Sequence, residues 1–361
     1  MSHALSRSAL VVAAACALAV VAGCAQGNPP PASANSSPDG KASSAGPTKV
    51  ALIGDQRFGD QGPMDDMAAG LKKCASDFGY ETKTFESIES AAHEDDIRAV
   101  AQDGYQLIFT TFPDMSPATK AVAVDFPNIK FGAVYQFINV GGASVPNVWD
   151  TEYRGDSTYY IAGAVGATLS KSGKLGFVAG DQDPTITAAL NGMIQGAKSV
   201  RPDIKVESAV AGSYEDPAKG KDIAKAMISR GVDVLVTAAA KTQLGVIDGA
   251  KEGGALVIGD VGDYSDRAPK TILSYVGSSF GQNVYLGCKN FQANSFEGGK
   301  HSFIDLTNAG YFFPTEPLTK WGAATGKEAE AATAAKLVNT ITEGVKGGTI
   351  TVEHNEKWPK S

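Results

Sequence analysis

Hydrogen-bonding and aromatic side chains stand at the ends of the apolar runs in this sequence. They are Asp55, Gln56, Phe112, Gln136, Asp181, Tyr214, Thr242, Asp260, Asp263 and Ser278. Carboxylates and amides accept hydrogen bonds from hydroxyl and N–H groups, and aromatic rings offer faces for stacking. A hydroxylated or heterocyclic small molecule needs these groups. In the alternative interpretation each residue only serves a turn or a helix N-cap, where Asp and Ser are favoured for backbone reasons.

A Gly-x-Ser-x-Gly motif, residues 277–281, lies between a predicted strand and a predicted helix. A serine hydrolase places its nucleophile in this context. His301 and His354 follow the motif, but the sequence has no oxyanion motif of the His-Gly-Gly-Gly type. We therefore favour a turn that starts a crossover helix, with Ser278 facing the ligand, and keep a serine hydrolase as the remote alternative.

Other enzyme chemistries lack their motifs. No G-x-G-x-x-G follows the first predicted strand and no G-x₄-G-K-[ST] occurs, so neither a dinucleotide site nor an ATP site is indicated. His93, His301 and His354 are scattered and do not have metal-ligand spacing. We expect no cofactor, no metal and no enzymatic activity.

Short apolar runs alternate with helical patterns from residue 49 onward. Predicted strands cover residues 50–54, 82–86, 106–111, 130–135, 175–178, 205–210, 232–237, 256–259 and 272–276. Runs this rich in Val, Ile, Leu and Phe are typical of strands buried on both faces of a parallel sheet. Gly79, Gly104 and Gly231 stand where predicted helices end. The alternation predicts an α/β fold with right-handed crossovers.

The βα series runs twice, which predicts two similar lobes. Lobe I is expected to comprise residues 49–152 and 279–308, and lobe II residues 153–278 and 309–361. Ligands of open α/β sheets bind beyond the carboxyl ends of the strands, so we expect a ligand cleft between the lobes. Trp149, near the predicted hinge, is a further candidate ligand contact.

Composition excludes several classes of protein. The 361 residues exceed the roughly 100–200 of a single domain. Hydrophobic residues make up 43 % and charged residues 20 %, as in a foldable globular protein. The 32 Lys and Arg against 39 Asp and Glu give a net charge of −7. A nucleic-acid binder would need a basic face, so we expect no nucleic-acid partner.

The amino-terminal residues resemble a bacterial lipoprotein signal peptide. Arg7 precedes an uncharged run, residues 9–22, that has the length of a signal-peptide core and is short for a membrane span. The run leads into Val21-Ala22-Gly23-Cys24, which resembles the lipobox, whose cysteine receives diacylglycerol. We expect removal of residues 1–23 and lipidation of Cys24. The alternative is an ordinary cleavable signal with an incidental cysteine.

Residues 24–48 are rich in Pro, Ser, Ala and Gly and predict a flexible tether. A lipid anchor with such a tether would hold a soluble body on the extracytoplasmic face of the cell membrane. Two or three acyl chains make such anchoring stable.

The order and spacing of five stretches resemble the basic membrane protein family of substrate-binding lipoproteins, which includes purine-nucleoside receptors of ABC importers. The stretches are 104–108 (GYQLI), 125–131 (DFPNIKF), 161–163 (IAG), 171–178 (KSGKLGFV) and 212–220 (GSYEDPAKG). The resemblance covers roughly residues 49–313. It implies a type I periplasmic-binding-protein fold, in agreement with the two predicted lobes, and an ABC permease as the membrane partner. We expect the receptor to be a monomer.

The ligand residues of the family match this sequence unevenly. The resemblance implies Asp55 as the acid after the first strand and Tyr214, in place of a phenylalanine, as the ring that stacks on a purine. The acid for the ribose hydroxyls corresponds to Asp260 or Asp263, of which Asp263 aligns better.

Two positions depart from the family pattern. Residues 62–64 (GPM) replace a Ser-Phe-Asn motif with a second stacking ring, and Ser278 stands where the nucleoside receptors have a lysine. Loss of one ring removes about 1–3 kcal/mol of stacking free energy. Phe58, Phe112 and Trp149 are candidates to replace it.

The favoured prediction is a lipid-anchored solute-binding protein that binds a purine nucleoside. Its lobes would close around the ligand and present the closed form to the permease. Gln136 and Asp181 are expected at the cleft wall. A receptor for a flavin, a nucleobase or a sugar is the alternative.

The four cysteines divide into two pairs. Cys16 leaves with the signal peptide, and Cys24 carries the lipid. Cys74 and Cys288 both fall in predicted helices of lobe I. In an oxidising compartment this even remainder predicts a disulfide, with two buried free thiols as the alternative.

Overall fold

The computed structural model describes residues 46–59, 62–142 and 144–359. The predicted signal peptide, the predicted lipidation site Cys24 and most of the predicted tether lie outside these ranges. Within them, no helix combines the length and the apolar character that a membrane span requires.

The strands form two six-stranded sheets. In chain order they are β1 (Lys49–Gly54), β2 (Glu81–Glu86), β3 (Leu107–Thr111), β4 (Lys130–Val134), β5 (Val148–Tyr153), β6 (Lys174–Ala179), β7 (Lys205–Val210), β8 (Val234–Ala238), β9 (Leu256–Asp260), β10 (Ile272–Ser278), β11 (Lys300–Ile304) and β12 (Tyr311–Phe312). The first sheet has the order β11-β5-β4-β3-β1-β2, and all its pairs are parallel. The second has the order β12-β10-β9-β8-β6-β7, and its β10–β12 pair is antiparallel.

Helices connect and cover the strands. They are α1 (Pro63–Phe78), α2 (His93–Gln102), α3 (Ser116–Asp125), α4 (Asp156–Leu169), α5 (Pro184–Val200), α6 (Pro217–Ser229), α7 (Gln243–Gly253), α8 (Phe280–Gln292), α9 (Glu316–Thr325) and α10 (Glu328–Lys346). Sequence signals fix several boundaries. Asp183 and Asp216 cap α5 and α6 with their side chains, and each precedes a proline at the first helical position. Gly79 ends α1 at φ 70°.

This architecture confirms the predicted fold class of two parallel sheets flanked by helices. The chain leaves the first sheet after β5, returns after β10 and leaves it again after β11. The lobe boundaries given by the sequence remain a prediction. β5 and β11 were not expected, because neither is a continuous apolar run.

β5 contains a buried acid that the hydrophobic pattern cannot indicate. Asp150 is 0 % exposed. Its carboxylate accepts hydrogen bonds from the backbone N–H groups of Ile138, at 3.0 Å, and Asn139, at 3.1 Å. Its Oδ2 also lies 2.6 Å from Nδ1 of His301 in β11. These partners offset the cost of burying a carboxylate, so a polar strand lies inside the sheet.

Both faces of each sheet are buried. In the first sheet Phe109 and Trp149 belong to the core on one face, and Phe131 to the core on the other. The core of the second sheet includes Phe177 and Trp321. Strands such as β8, in which every residue is buried, are therefore nearly continuous apolar runs.

Among the described helices, α4 with α5, α1 with α8 and α6 with α7 approach so closely that glycine is required at the contact. A Cβ atom on Gly163 of α4 would collide with the Met193 carbonyl of α5, and one on Gly70 of α1 would collide with the Gly281 carbonyl of α8. The expected pair Cys74 and Cys288 forms a disulfide between α1 and α8, with 6.0 Å between the Cα atoms. Helix α8, which begins directly after β10, is thus bound covalently to the first sheet's side of the molecule.

We predict that replacing Cys74 and Cys288 together by alanine lowers the free energy of unfolding by about 2–4 kcal/mol. The disulfide joins residues separated by 214 positions, so it restricts the unfolded chain. Urea unfolding followed by circular dichroism measures the change. Wild-type protein kept in reducing agent serves as the control and should match the double variant. Equal unfolding free energies for the oxidised wild type and the variant would contradict the prediction.

Candidate ligand-binding site

Tyr214 and Asp183 form a fixed pair beside the second sheet. Asp183 follows β6, and its Oδ1 accepts a hydrogen bond from the Ile186 N–H at 2.9 Å, which caps α5. Its Oδ2 accepts a hydrogen bond from the Tyr214 hydroxyl at 2.9 Å. Burial, and then the bond to Asp183, raises the pKa of Tyr214. The phenol therefore stays protonated at neutral pH and holds the ring in place.

The ring of Tyr214 lies directly against Gly180, the residue after β6. A Cβ atom at position 180 would collide with Cδ1 and Cε1 of the ring. Tyr214 nevertheless remains partly exposed. Its ring is thus positioned by Gly180 and Asp183 while part of its surface is open to a ligand, as stacking requires.

Aromatic residues also follow the strands of the first sheet. Phe112 comes directly after β3 at φ 56°, and Tyr135 directly after β4 at φ 55°. Their rings meet edge to face at a centroid distance of 6.4 Å, and the Phe280 ring is 5.6 Å from that of Phe112. Positive φ is uncommon outside glycine. At these two adjacent strand ends it turns an aromatic side chain away from the strand direction.

Tyr135 is the point at which the ends of the two sheets meet. The side chain of Thr185, in the first turn of α5, and the carboxylate of Asp183 lie near enough to its hydroxyl to act on its titration. Burial raises the pKa of Tyr135, the polar side chain of Thr185 lowers it and the charge of Asp183 raises it. Tyr311 of β12 is also close to Tyr135 and Asp183. The cluster of Tyr135, Asp183, Tyr214 and Tyr311 therefore combines side chains from both sheets.

Asp55 is a partly buried acid at the first sheet. It follows β1, and its Oδ1 accepts a hydrogen bond from the Thr111 hydroxyl at 3.0 Å. Burial raises the pKa of Asp55, and the bond from Thr111 opposes the rise. Asp55 is suited to accept a ligand hydroxyl or N–H group. Its neighbour Gln56 is exposed.

Asp260 holds a turn. It is 6 % exposed, and its carboxylate accepts hydrogen bonds from the Thr237 hydroxyl at 2.6 Å and from the N–H groups of Ala239 and Ala240 at 2.9 Å. Burial raises its pKa, and these donors oppose the rise. Since three donors already occupy the carboxylate, its local role is to fix the segment after β8.

Asp181 and Asp263 are exposed loop acids. Oδ1 of Asp181 accepts a hydrogen bond from the Gln182 N–H at 2.7 Å, and Oδ1 of Asp263 accepts one from the Ser265 N–H at 2.8 Å. Each shapes its own loop and retains acceptor capacity for a ligand. Of the two ribose candidates, Asp263 is thus the accessible one.

Three further predicted ligand contacts have buried side chains. Gln136 is fully buried, and its Nε2 donates to the Thr110 hydroxyl at 2.9 Å. Trp149 is 3 % exposed within β5, and its Nε1 donates to the Ser302 hydroxyl at 2.9 Å. Thr242 is fully buried and donates to the Ser213 carbonyl at 2.8 Å. All three side chains pack inside the fold, and their role as ligand contacts stays a prediction.

Ser278 lines a pocket of about 300 Å³. Pro63, at the start of α1, lines the pocket from the side of the first sheet, and Val261, after β9, lines it from the side of the second. The adjacent Ser279 caps α8, because its hydroxyl accepts a hydrogen bond from the Gln282 N–H at 3.0 Å. It also lies 3.1 Å from Oδ2 of Asp66. The Gly-x-Ser-x-Gly motif thus forms the expected start of a helix.

The histidines considered as a catalytic base are engaged elsewhere. His301 lies between Asp150 and Glu152, and His354 between Asp156 and Glu356. Across the described ranges, no group of three or more His, Cys, Asp or Glu residues is placed to hold a metal ion. The geometry gives no support to the hydrolase alternative.

Sequence reasoning missed Tyr135, Tyr311 and Asp183 as site residues. Tyr135 ended a predicted strand and was counted inside it, although the strand stops at Val134. Asp183 belongs to the strand-end group 181–183, of which the sequence analysis selects Asp181, yet the Asp-Pro pair at 183–184 is a helix-start signal that marks Asp183 as the N-cap of α5. Tyr311 lies far along the chain, and no local signal indicates it.

Comparison with known proteins gives the family. The model of the Bmp family, described as ABC transporter substrate-binding protein PnrA-like, matches residues 47–337. Basic membrane protein A1 of Borrelia garinii subsp. bavariensis is 30 % identical over 255 residues, covering 70 % of this chain and 75 % of that protein.

Two further relatives have names that describe a ligand. An ABC transporter nucleoside-binding protein of Lactococcus lactis subsp. cremoris is 35 % identical over 167 residues, 46 % of each chain. A purine-binding protein of Brucella abortus is 34 % identical over 203 residues, 56 % of each chain.

Solved structures share the fold. A solute-binding protein of an Aeropyrum pernix ABC transporter superimposes with a TM-score of 0.63 at 20 % identity, covering 86 % of this chain and 94 % of that one. One from Conexibacter woesei gives 0.65 at 19 % identity, with coverages of 85 % and 99 %. The family match over most of the chain shows that this protein belongs to the Bmp family of PnrA-like ABC transporter substrate-binding proteins.

Proposed function

We propose that this protein is the lipid-anchored receptor of an ABC importer and that it binds a purine nucleoside between its two sheets. Its task is to capture the ligand outside the cytoplasmic membrane and to deliver it to a permease, whose own ATPase supplies the energy. We assign it no catalytic step.

The observation that carries the ligand proposal is the Tyr214 ring. Gly180 supports the ring and Asp183 holds its hydroxyl, so a flat base can stack on a surface that is already in place. Stacking of a base on an aromatic ring contributes about 1–3 kcal/mol and suits any base with a π face. Little ordering of this side chain is needed on binding, which favours affinity.

The carboxylates around the ring suit the hydroxyls of a ribose. Asp55 from the first sheet and Asp263 from the second are the acceptors that we assign to ligand O–H or N–H groups. Serine at position 278, where nucleoside receptors of the family have a lysine, fits an uncharged ligand. The names of the Lactococcus and Brucella relatives, nucleoside-binding and purine-binding, support the same ligand class.

Closure is the step that would make the receptor useful to a permease. We propose that residues 49–152 with 279–308, and residues 153–278 with 309–361, act as two lobes that close on the ligand. The contact between Tyr135 and Thr185 would then belong to the closed form, which the ligand must bind more tightly than the open form. We further propose that the receptor acts as a monomer.

We predict that inosine, adenosine or guanosine raises the melting temperature, because a ligand that binds only the folded state stabilises it. The measurement is a thermal-shift series that also contains adenine, riboflavin and D-galactose. Tyr214→Ala should weaken nucleoside binding about tenfold or more, since the stacking surface is lost. Tyr214→Phe, which keeps the ring, should cost less.

Tyr285 provides the matched control for Tyr214. Its hydroxyl donates to the Asp77 carboxylate at 2.8 Å on the α1–α8 side of the first sheet, so Tyr285→Ala and Tyr285→Phe should leave nucleoside affinity unchanged. A response to riboflavin or galactose with none to the nucleosides would replace the ligand class proposed here.

We predict that Gly180→Ala weakens nucleoside binding by a factor similar to that of Tyr214→Ala. The added methyl group displaces the Tyr214 ring without removing it. Isothermal titration measures the affinity. Gly166→Ala is the control, because a Cβ atom there meets Leu175 and Val234 at 3.5 Å, an ordinary contact. Unchanged affinity of Gly180→Ala would show that the position of the ring is unimportant.

The membrane anchor is a separate proposal that depends on Cys24. We predict that Cys24→Ser moves the protein from the membrane fraction to the soluble extracytoplasmic fraction, because the thiol that carries the lipid is absent. Fractionation with metabolic labelling by an alkyne fatty acid measures both effects. Cys16→Ser is the control and should remain labelled and membrane-bound. Equal membrane association of the two variants would refute the anchor.

A further inference from the structure

Val261 combines an exposed apolar side chain with an unfavourable backbone. It follows β9 directly, its φ is 66°, and it is 64 % exposed. A β-branched residue in the left-handed region is a true outlier, because its Cβ substituents crowd the backbone. Burial in a core does not explain this residue, since most of it is open to solvent.

Tyr135 occupies the same place in the first sheet. The first sheet is ordered β2-β1-β3-β4 from its edge and the second β7-β6-β8-β9, so β4 and β9 correspond. Tyr135 follows β4 at φ 55°, and Val261 follows β9 at φ 66°. The equivalent strand end therefore has the same unusual backbone in both halves, and Tyr135 already lies where the two sheets meet.

Neighbouring contacts hold Val261 in this conformation. Its N–H donates to the Val276 carbonyl at 3.1 Å, and the N–H of Gly262 donates to the Asp260 carbonyl at 2.8 Å. The residue immediately before Val261 is Asp260, whose buried carboxylate is held by hydrogen bonds from Thr237 and Ala239. Strain that is maintained by its surroundings points to a function for the side chain that it presents.

The side chain of Val261 lines the pocket of about 300 Å³ described above. Pro63 contributes from the side of the first sheet, and Phe312 and Ser278 from the side of the second. The pocket also contains Asp66, whose carboxylate already accepts hydrogen bonds from the Gly281 N–H at 2.9 Å and the Ser279 hydroxyl at 3.1 Å. The apolar part of its wall, formed by Pro63, Val261 and Phe312, offers a surface to a flat or apolar part of a ligand.

We propose that Val261 is a specificity-determining residue that packs against the base of the nucleoside in this pocket. The inference rests on the proposed function for the identity of the ligand. The strained backbone aims the isopropyl group at the space between the sheets, and ligand contact there replaces the solvent that surrounds it in the free protein.

Two substitutions of Val261 separate the effect of its backbone strain from the effect of its contact with the ligand. Asn tolerates the left-handed region but is polar, whereas Thr keeps the β-branched shape and replaces one methyl group by a hydroxyl. Val261→Asn should raise the melting temperature of the ligand-free protein by about 2 °C, because the backbone strain is relieved. It should also weaken inosine binding about tenfold, and Val261→Thr about threefold, as apolar contact is lost.

Val124 near the end of α3 is a matched control, because it is also 64 % exposed. Val124→Asn and Val124→Thr should leave the affinity unchanged and should not raise the melting temperature. The two readouts are thermal unfolding without ligand and isothermal titration with inosine.

The results distinguish this inference from the proposed function. If inosine binds the wild type and the Val261 variants equally, the inference is overturned and the nucleoside assignment stands. If adenine, riboflavin or D-galactose binds in place of inosine and the Val261 variants weaken that binding, the inference stands with a different ligand. If Val261→Asn fails to stabilise the ligand-free protein, the strain argument is refuted without any ligand. If the wild type binds none of the four probes, both proposals are overturned.

Discussion

Parallel strand pairing is the constraint on which the rest of this structure depends. Parallel strands place their carboxyl ends at one edge of the sheet, and each connection between them must cross back to the opposite edge. The protein contains two such sheets, in which only the short β12 is antiparallel to its neighbour among the described strands, and the chain passes between them after β5, β10 and β11. Residues separated by more than a hundred positions, such as Tyr135 and Tyr311, consequently come together where the strand ends meet. Polar residues of separate loops thereby come together in one candidate site.

The strand ends keep their positions only if the surrounding helices are fixed, and close helix packing fixes them. Gly163 lets α4 and α5 approach to backbone contact, and Gly70 does the same for α1 and α8, which the Cys74–Cys288 disulfide also joins. Because α8 follows β10 directly, the disulfide fixes one of the segments that connect the two sheets. Rigid packing on both sides leaves the strand ends as the place where side chains can respond to a ligand.

Acidic side chains at these strand ends divide into two kinds. Asp260 and Asp150 are buried and bonded to several donors, so they shape the backbone. Asp55 and Asp263 retain exposed surface, so they can accept donors from a ligand. Burial also keeps the tyrosine hydroxyls protonated, since it raises the pKa of both Tyr135 and Tyr214. The same residue type thus serves structure or recognition according to how many of its hydrogen bonds the fold already satisfies.

The amino-acid sequence alone determined the fold class, because runs such as β1 and β8 are nearly continuous in apolar residues and helix starts and ends carry Asp-Pro and Gly signals. It also indicated the Cys74–Cys288 pair, the motifs of the family, and Asp55 and Tyr214 as candidate site residues. Only the tertiary structure showed that Trp149, Gln136 and Thr242 are buried and that Asp183 and Tyr135 are further candidates for the site. It alone revealed β5, in which a hydrogen-bond partner distant in sequence helps to offset the free-energy cost of burying Asp150. Hydrophobic pattern reports the burial of apolar groups, whereas burial of a polar group depends on hydrogen-bond partners that only the folded chain brings together.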